Sequence, residues 1–135
     1  MPLAIRKLKG MCPETEAKLK ARGLDTAEKL FDAVVTEQNR EELAAQTGIE
    51  KQVIMELANR ADLARIKGIA GVYSDLLEEA GVDTVKELRG RTAENLYAKM
   101  LEVNAVKNLT PKPPSLKHVQ HWITLARRRH KFLQY

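Results

Sequence analysis

One register of the chain against itself constrains its fold more than any other feature. Leu8-Lys9-Gly10 aligns with Ile66-Lys67-Gly68 at an offset of 58 residues. At that offset Leu19 meets Leu77, Gly23 meets Gly81, Asp25-Thr26 meets Asp83-Thr84, and Leu30 meets Leu88. The register extends without a gap to Leu43 and Leu101. Self-similarity at a fixed period implies a duplicated unit of about 60 residues, too small to be very stable alone and helped by a shared buried face. The 135 residues accommodate two such units, 1–60 and 61–135, packed into one compact body. The second unit carries an inserted Thr110-Pro111-Lys112-Pro113-Pro114 before its last helix.

Each unit reads as short helices, about ten in all, and no strand pattern appears. The fold class is all-α. Leu and Ala dominate the apolar residues and aromatics make up 4%, a balance that favours helix over sheet. Residues 3–9 read as a short helix ending at Gly10. Pro13 suits the first turn of the next, which runs to about Arg22, with Gly23 beyond its end. Asp25 and Glu28 have capping-box spacing ahead of a stripe of Leu30, Phe31 and Val34. A short helix over 39–46 stops at Gly48. The helix over 50–62 is amphipathic through Val53, Ile54, Leu57, Ala58 and Ala61. In the second unit Ser74–Ala80 is helical with Gly81 as its cap, and Thr84 and Glu87 repeat the capping-box spacing. Leu96, Met100 and Leu101 stripe the following helix. Ser115 is placed to cap the last one, which carries Leu116, Val119, Trp122, Ile123 and Ala126 on one side.

The segments Ile5-x-x-Leu8-Lys9-Gly10-Met11-Cys12-Pro13 and Leu63-x-x-Ile66-Lys67-Gly68-Ile69-Ala70-Gly71 are each followed by a helix, a Gly and Asp-Thr. This resembles the helix-hairpin-helix motif, present here in tandem. The resemblance implies that Met11 and Ile69 plug the space between crossing helices. It also implies that the hairpin amides and the following helix start face a backbone phosphate, an attraction that reads no sequence. The stretch from Ala61-Asp62-Leu63 through Gly81-Val82-Asp83-Thr84-Val85 and Glu102-Val103-Asn104 to Pro113-Pro114-Ser115 and Trp122 is similar to an uncharacterised bacterial family, domain of unknown function 4332. That similarity covers about residues 61–128, with the first unit as a diverged copy, and implies no known activity. Both arms depart from a phosphate-gripping hairpin. Cys12 and Ala70 replace the second glycine, and Glu14 and Val72 stand where a basic residue is usual. Glu16 and Ser74 occupy the place of a small residue.

Net charge is +5 and unevenly distributed. Residues 1–67 hold 12 Lys and Arg against 11 Asp and Glu, whereas residues 68–135 hold 11 against 7. No carboxylate stands after Glu102, while Lys107, Lys112, Lys117, Arg127, Arg128, Arg129 and Lys131 do. A one-sign segment suits a polyanionic partner, and equally a solvated helix end where cations complement the dipole. The candidate contact residues are Lys7, Lys9, Gly10 and Cys12 at the first hairpin, with Arg6 beside them. Arg65, Lys67, Gly68, Ala70 and Gly71 serve the second. Arg127, Arg128, Arg129 and Lys131 lie in a basic C-terminal helix. The expected function is a non-catalytic module that grips duplex nucleic-acid backbone without sequence preference. The alternative is a protein-interaction or scaffolding module with no nucleic-acid role. A third option is attraction of the basic helix to an anionic membrane surface or acidic protein.

No nucleophile elbow, Walker loop or His-Glu-x-x-His occurs, so no catalytic residue and no cofactor is expected. His118 and His121 are three apart on one helix without a third ligand, so no metal is expected. Cys12 near a helix start is where thiol pKa values fall, and it reads as a small turn residue. Trp122 reads as core and Tyr73 as an exposed contact. No apolar run reaches the roughly 20 residues that span a bilayer, and the start shows no signal-peptide core. A cytoplasmic protein is expected.

Overall fold

A computed structural model describes residues 3–69 and 71–135. Among them lie a 3-10 turn at Ile5–Lys7 and eight α-helices. These are α1 Pro13–Lys20, α2 Ala27–Ala33, α3 Glu37–Thr47, α4 Lys51–Leu63, α5 Val72–Glu79, α6 Val85–Arg89, α7 Ala93–Lys107 and α8 Leu116–Arg127. The fold is all-α. No strand occurs among the described residues, and Ala4 and Thr26 form an isolated antiparallel bridge.

Local chemistry sets most helix starts. Thr26 accepts the Lys29 amide at 3.1 Å, Thr36 the Asn39 amide at 3.1 Å, and Thr84 the Glu87 amide at 3.2 Å. Ser115 accepts the His118 amide at 3.2 Å, and His118 Nδ1 accepts the Ser115 amide at 3.3 Å in return. The cap of α2 is therefore Thr26 and not Asp25, which pairs with Lys29 at 2.9 Å instead. The helix expected over 3–9 is reduced to one turn. Ala4 and Leu8 are extended on either side of it. The Ile5 amide is spent on the Asp25 carbonyl at 3.2 Å, and the Leu3 carbonyl accepts the Ala27 amide at 2.8 Å. The N-terminal arm thus closes the start of α2 rather than coiling on itself.

The buried apolar residues form two clusters that meet along α4. Ile54, Leu57, Ala58 and Ala61 close the first cluster, over Ile5, Leu19, Leu30 and Phe31. Leu63, at the end of the same helix, opens the second with Ile66, Ile69, Leu76, Leu77 and Leu88. Position 60/61 therefore falls inside a continuous helix. Helix α4 packs on α2 and α3, and α8 packs on α6 and α7. The two closing helices match residue for residue. Ile54, Leu57, Ala58 and Ala61 correspond to Val119, Trp122, Ile123 and Ala126, all buried, at an offset of 65. Trp122 is core, as expected. Each large apolar side chain buried here is worth about 1.5–3 kcal/mol, against about 0–1 kcal/mol for a surface ion pair. Packing of these stripes therefore outweighs the charge pairs on the outside.

The self-register does not stay at 58. At the next helix starts Thr36 matches Thr92, Arg40 matches Leu96 and Ala44 matches Met100, an offset of 56. The cause is α6, which stops two positions before the counterpart of the end of α2. Leu43 and Leu101 are consequently not counterparts: Leu43 is buried, whereas Leu101 is 36% exposed beside the fully buried Met100. Helix α7 is then longer than α3, 15 residues against 11, and its Asn108 cap and the proline-rich connection carry the offset to 65.

Two features differ between the halves in chemistry and agree in geometry. Gly10 and Gly68 both have positive φ, +91° and +95°. A Cβ at Gly10 would lie 4.0 Å from Leu57, but at Gly68 it would lie 3.1 Å from the Trp122 Nε1. The Ala27 amide is satisfied by a backbone carbonyl, while its counterpart, the Val85 amide, donates to Asp62 Oδ2 at 2.8 Å. Asp62 has no exposed surface. It also accepts Arg65 Nε at 3.1 Å and pairs with Arg65 Nη2.

The expected basic C-terminal helix ends at Arg127, with Arg128 as its cap. Arg129 and Lys131 lie beyond it in a strap without regular structure that runs back to the first half. There Leu133 is 5% exposed in the first cluster, and the Gln134 amide donates to the Val35 carbonyl at 2.7 Å. A continued helix would forgo both.

Gly10→Ala should lower stability by about 1–2 kcal/mol, the cost of a left-handed backbone for an L-residue. Gly68→Ala should cost roughly 2–4 kcal/mol, because overpacking against the indole adds to that term. Urea unfolding followed by circular dichroism measures both, and equal losses would refute the packing difference. Asp62→Ala should cost about 3 kcal/mol by stranding the Val85 amide and the Arg65 guanidinium. Asp62→Asn keeps one acceptor for the Val85 amide but turns its NH2 toward Arg65, and should lose somewhat less than Asp62→Ala. Burial raises the Asp62 carboxyl above its ordinary 3.8, opposed by the Val85 amide and by Arg65. The folded chain therefore holds that proton more tightly than the unfolded one. Its contribution to stability is greatest below that range and falls as pH rises through the folded value. The Asp62→Asn chain should lack that fall.

Candidate functional site

The expected contact residues fall into two unlike environments. At the second hairpin the last turn of α4 and the residues after it present Arg65 and Lys67. Asp62 fixes Arg65 from below. The Arg65 guanidinium carbon then lies 3.9 Å from the centroid of the Phe31 ring, a cation–π contact that ties this hairpin to α2. The Arg65 carbonyl accepts Arg129 Nη2 at 2.7 Å, bringing the strap onto the hairpin. Arg65, Lys67 and Arg129 line one cleft of about 480 Å³ with Ala61 and Ala64, and Glu28 is the carboxylate on its wall. Lys67 is exposed and has no ion-pair partner among the described residues.

The strap continues the positive surface. Lys131 Nζ lies 6.0 Å from the Phe31 centroid and pairs with Asp32 at 3.3 Å on the exposed surface, a contact of little energetic weight. His130, Lys131 and Lys86 line a neighbouring cleft with Phe132 and Leu133. Arg127 Nε donates to the Arg89 carbonyl at 3.3 Å, and the Arg89 guanidinium lies 5.2 Å from the Phe132 ring centroid. Arg128 is exposed.

The first hairpin faces the other way in charge. Lys9 Nζ pairs with Asp75 Oδ1 of α5 at 3.4 Å. Arg60, buried at the end of α4, donates to Ser74 Oγ at 2.8 Å and to Asp75 Oδ1 at 2.6 Å and pairs with Glu78. Lys9 and Gly10 open onto a cleft of about 340 Å³ that also holds Arg60, Glu56, Glu78 and Asp83. Carboxylates therefore already surround the cation that corresponds to Lys67. Lys7 and Arg6 are exposed on the outer side. Cys12 starts α1 without capping it, and its thiol donates to Thr15 Oγ1 at 3.2 Å. The Thr15 hydroxyl and amide beside it hold the thiol below its ordinary value. Glu14 and Glu16 pair with Lys18 at 3.4 Å and Lys20 at 3.1 Å along the exposed side of α1.

Gly71 caps α5 at φ +56°, and Ala70 lies outside the described residues. Tyr73 is not the exposed contact it was expected to be. Its ring centroid is 5.6 Å from that of Trp122, and its hydroxyl donates to the Lys112 carbonyl at 3.1 Å. The insertion that precedes the last helix thus folds over it. His118 is engaged with Ser115, and no cluster of three or more His, Cys, Asp or Glu poised to hold a metal occurs among the described residues. No helix of the described residues is long and apolar enough to cross a membrane.

Reasoning from sequence missed three residues that organise these surfaces. Arg60 and Asp62 stand among Leu57, Ala58, Ala61 and Leu63 on an amphipathic helix, and charges interleaved with its apolar stripe are a detectable signal for buried pairing. Arg40 corresponds to Leu96, and only the corrected register would single it out.

No curated protein and no solved structure matches the chain. A family model, described as Domain of unknown function (DUF4332), matches residues 9–129. That span is wider than 61–128. It begins at the first hairpin lysine and runs through both clusters, α4 and the charged cleft to Arg129. A match over that much of the sequence is decisive: the chain belongs to the DUF4332 family.

Proposed function

We propose that the chain is a non-catalytic binding module, built as two helix-hairpin-helix units in tandem, that holds nucleic-acid backbone without regard to sequence. The observation that carries this reading is the gathering of Arg65, Lys67 and Arg129 in one cleft of the second hairpin, with Lys131 beside it. Cations spaced along a groove neutralise successive phosphates and release counterions, which supplies affinity without reading bases. The paired positive-φ glycines and the residue-for-residue match of α4 with α8 support the tandem reading. In this proposal the two hairpins are unequal. The second contacts phosphate, and the first is held against α5 by Lys9 and Asp75.

A second reading, a protein-contact module, is favoured by Val72, 36% exposed at the corner of the second hairpin, and by Val106, 81% exposed on α7. An apolar side chain at that corner suits a protein surface better than a phosphate.

Fluorescence anisotropy of a labelled random-sequence duplex, titrated at about 50 and 200 mM salt, separates the two. Binding should weaken steeply between those conditions. Lys67→Glu should lower affinity about tenfold at the lower salt and reduce the salt slope by about one. Lys9→Glu should change affinity less than about twofold, since Glu56, Glu78 and Asp83 line its cleft beside Asp75 and make that surface repel phosphate already. Equal effects of the two variants would return both hairpins to the interface. No binding at low salt would reject the nucleic-acid reading and leave the protein-contact one.

A further inference from the structure

Arg40 is the residue of the first half whose burial is least explained by its own neighbourhood. It is 7% exposed and has no carboxylate partner among the described residues. A buried guanidinium needs its donors satisfied, and here only carbonyls do so. Nη1 donates to the Val34 carbonyl at 2.9 Å and the Val35 carbonyl at 3.1 Å, where α2 ends. Nη2 donates to the carbonyl of Gln134, ninety-four residues away. The same guanidinium lies 5.6 Å from the centroid of the Tyr135 ring, and the Tyr135 hydroxyl donates to Asn59 Oδ1 at 3.0 Å. Gln134 is thus gripped twice through its backbone, by the Val35 carbonyl and by Arg40, next to the buried Leu133. At the matching place on α7 stands Leu96, fully buried and apolar. The second half fills that position with packing alone, and the first half uses it to hold a segment.

We propose that Arg40 is a positioning residue for the basic cleft, an inference that rests on the nucleic-acid reading above. Arg40 seats the strap at Gln134. The seated strap carries Lys131 to the Phe31 ring and so extends the cluster of Arg65, Lys67 and Arg129, whose last member is placed by the end of α8. Arg40 itself does not line that cleft, so its substitution would act on phosphate binding only through the strap. When the strap lifts, Arg40 loses a carbonyl and an aromatic face, Leu133 enters water and Lys131 leaves the cleft region, while Arg129 stays tied to the end of α8 by its amide on the Ala126 carbonyl at 3.1 Å. Seating of the strap and binding of a polyanion therefore favour one another.

The experiment is made on the full chain with Arg40→Leu, the residue found at the matching position, and independently with Leu133→Ser. Amide exchange at Gln134 reports the strap. Amide exchange at Leu57, deep in α4, reports global stability. Duplex anisotropy reports the cleft. Arg40→Leu should accelerate Gln134 exchange at least about tenfold with Leu57 little changed. It should also weaken duplex binding about threefold or more and reduce the salt slope by about one. Leu133→Ser should reproduce both effects with Arg40 intact. Arg40→Lys should restore little, because one ammonium nitrogen on a shorter reach cannot sit at both places that Nη1 and Nη2 occupy against the Val34, Val35 and Gln134 carbonyls. Unchanged Gln134 exchange in both variants overturns the clamp. A released strap with unchanged duplex affinity overturns the coupling. A wild-type chain that binds no duplex rejects the nucleic-acid reading and the coupling with it, and the clamp then stands or falls on exchange alone.

Discussion

The structure turns on the carboxylate of Asp62, which is buried at the point where one helix serves two cores. It holds the first amide of α6 and the guanidinium of Arg65 at once. Through Arg65 it reaches the Phe31 ring of the first cluster and the Arg129 side chain of the strap. A buried ion pair is weak evidence of net stabilisation, since desolvation opposes the attraction. Its contribution here is to geometry. With Asp62 in place the hairpin arm has one orientation relative to α6, and the cations after it have one direction to face.

Such a pivot is needed because α4 is not divided. Its stripe of Ile54, Leu57, Ala58 and Ala61 is committed to the first cluster, and Leu63 at its end is committed to the second. Helix α8 repeats the stripe, but the chain beyond it takes another course. After Ala61 the chain continues into a charged but anchored turn, whereas after Ala126 it leaves the helix and crosses back. The strap and the Lys9–Asp75 and Arg60–Asp75 pairs join the halves at separate places. Their relative placement does not rest on α4 alone.

Much of this was legible in the sequence wherever the signal is local. The threonine and serine caps, the glycine ends of helices, the apolar stripes of α4 and α8 and the absence of strand pattern depend on residues within a few positions of one another. The errors come from elsewhere. A constant self-register could not survive the early end of α6, and it paired the buried Leu43 with the exposed Leu101. The N-terminal arm has helical spacing but gives its backbone groups to Asp25 and Ala27, a choice decided by partners about 20 residues away. The basic tail reads as a helix because Arg and Lys are good helix formers. Burial of Leu133 in a core more than 70 residues distant overrides that propensity.

Lys9 and Lys67 occupy matching places in the self-register and meet unlike surroundings. Both precede a glycine of the same backbone conformation, and both stand after an apolar residue that is buried. Along the chain, however, the first hairpin lies against what comes after it, and α5 brings Asp75 and Glu78 to the cleft onto which Lys9 opens. At the second hairpin the charged lining of the cleft is mainly cations, with Glu28 as its carboxylate. The cations that fold onto Lys67 are Arg65 and Arg129. Two like-charged guanidinium groups and an ammonium in one cleft repel one another and raise the energy of the folded chain. Asp62 relieves part of that at Arg65, and the Arg65 carbonyl relieves part at Arg129. Lys67 has no ion-pair partner among the described residues and shares the cleft with one carboxylate, Glu28, so in the proposed reading it is the cation that an arriving anion would neutralise to greatest effect.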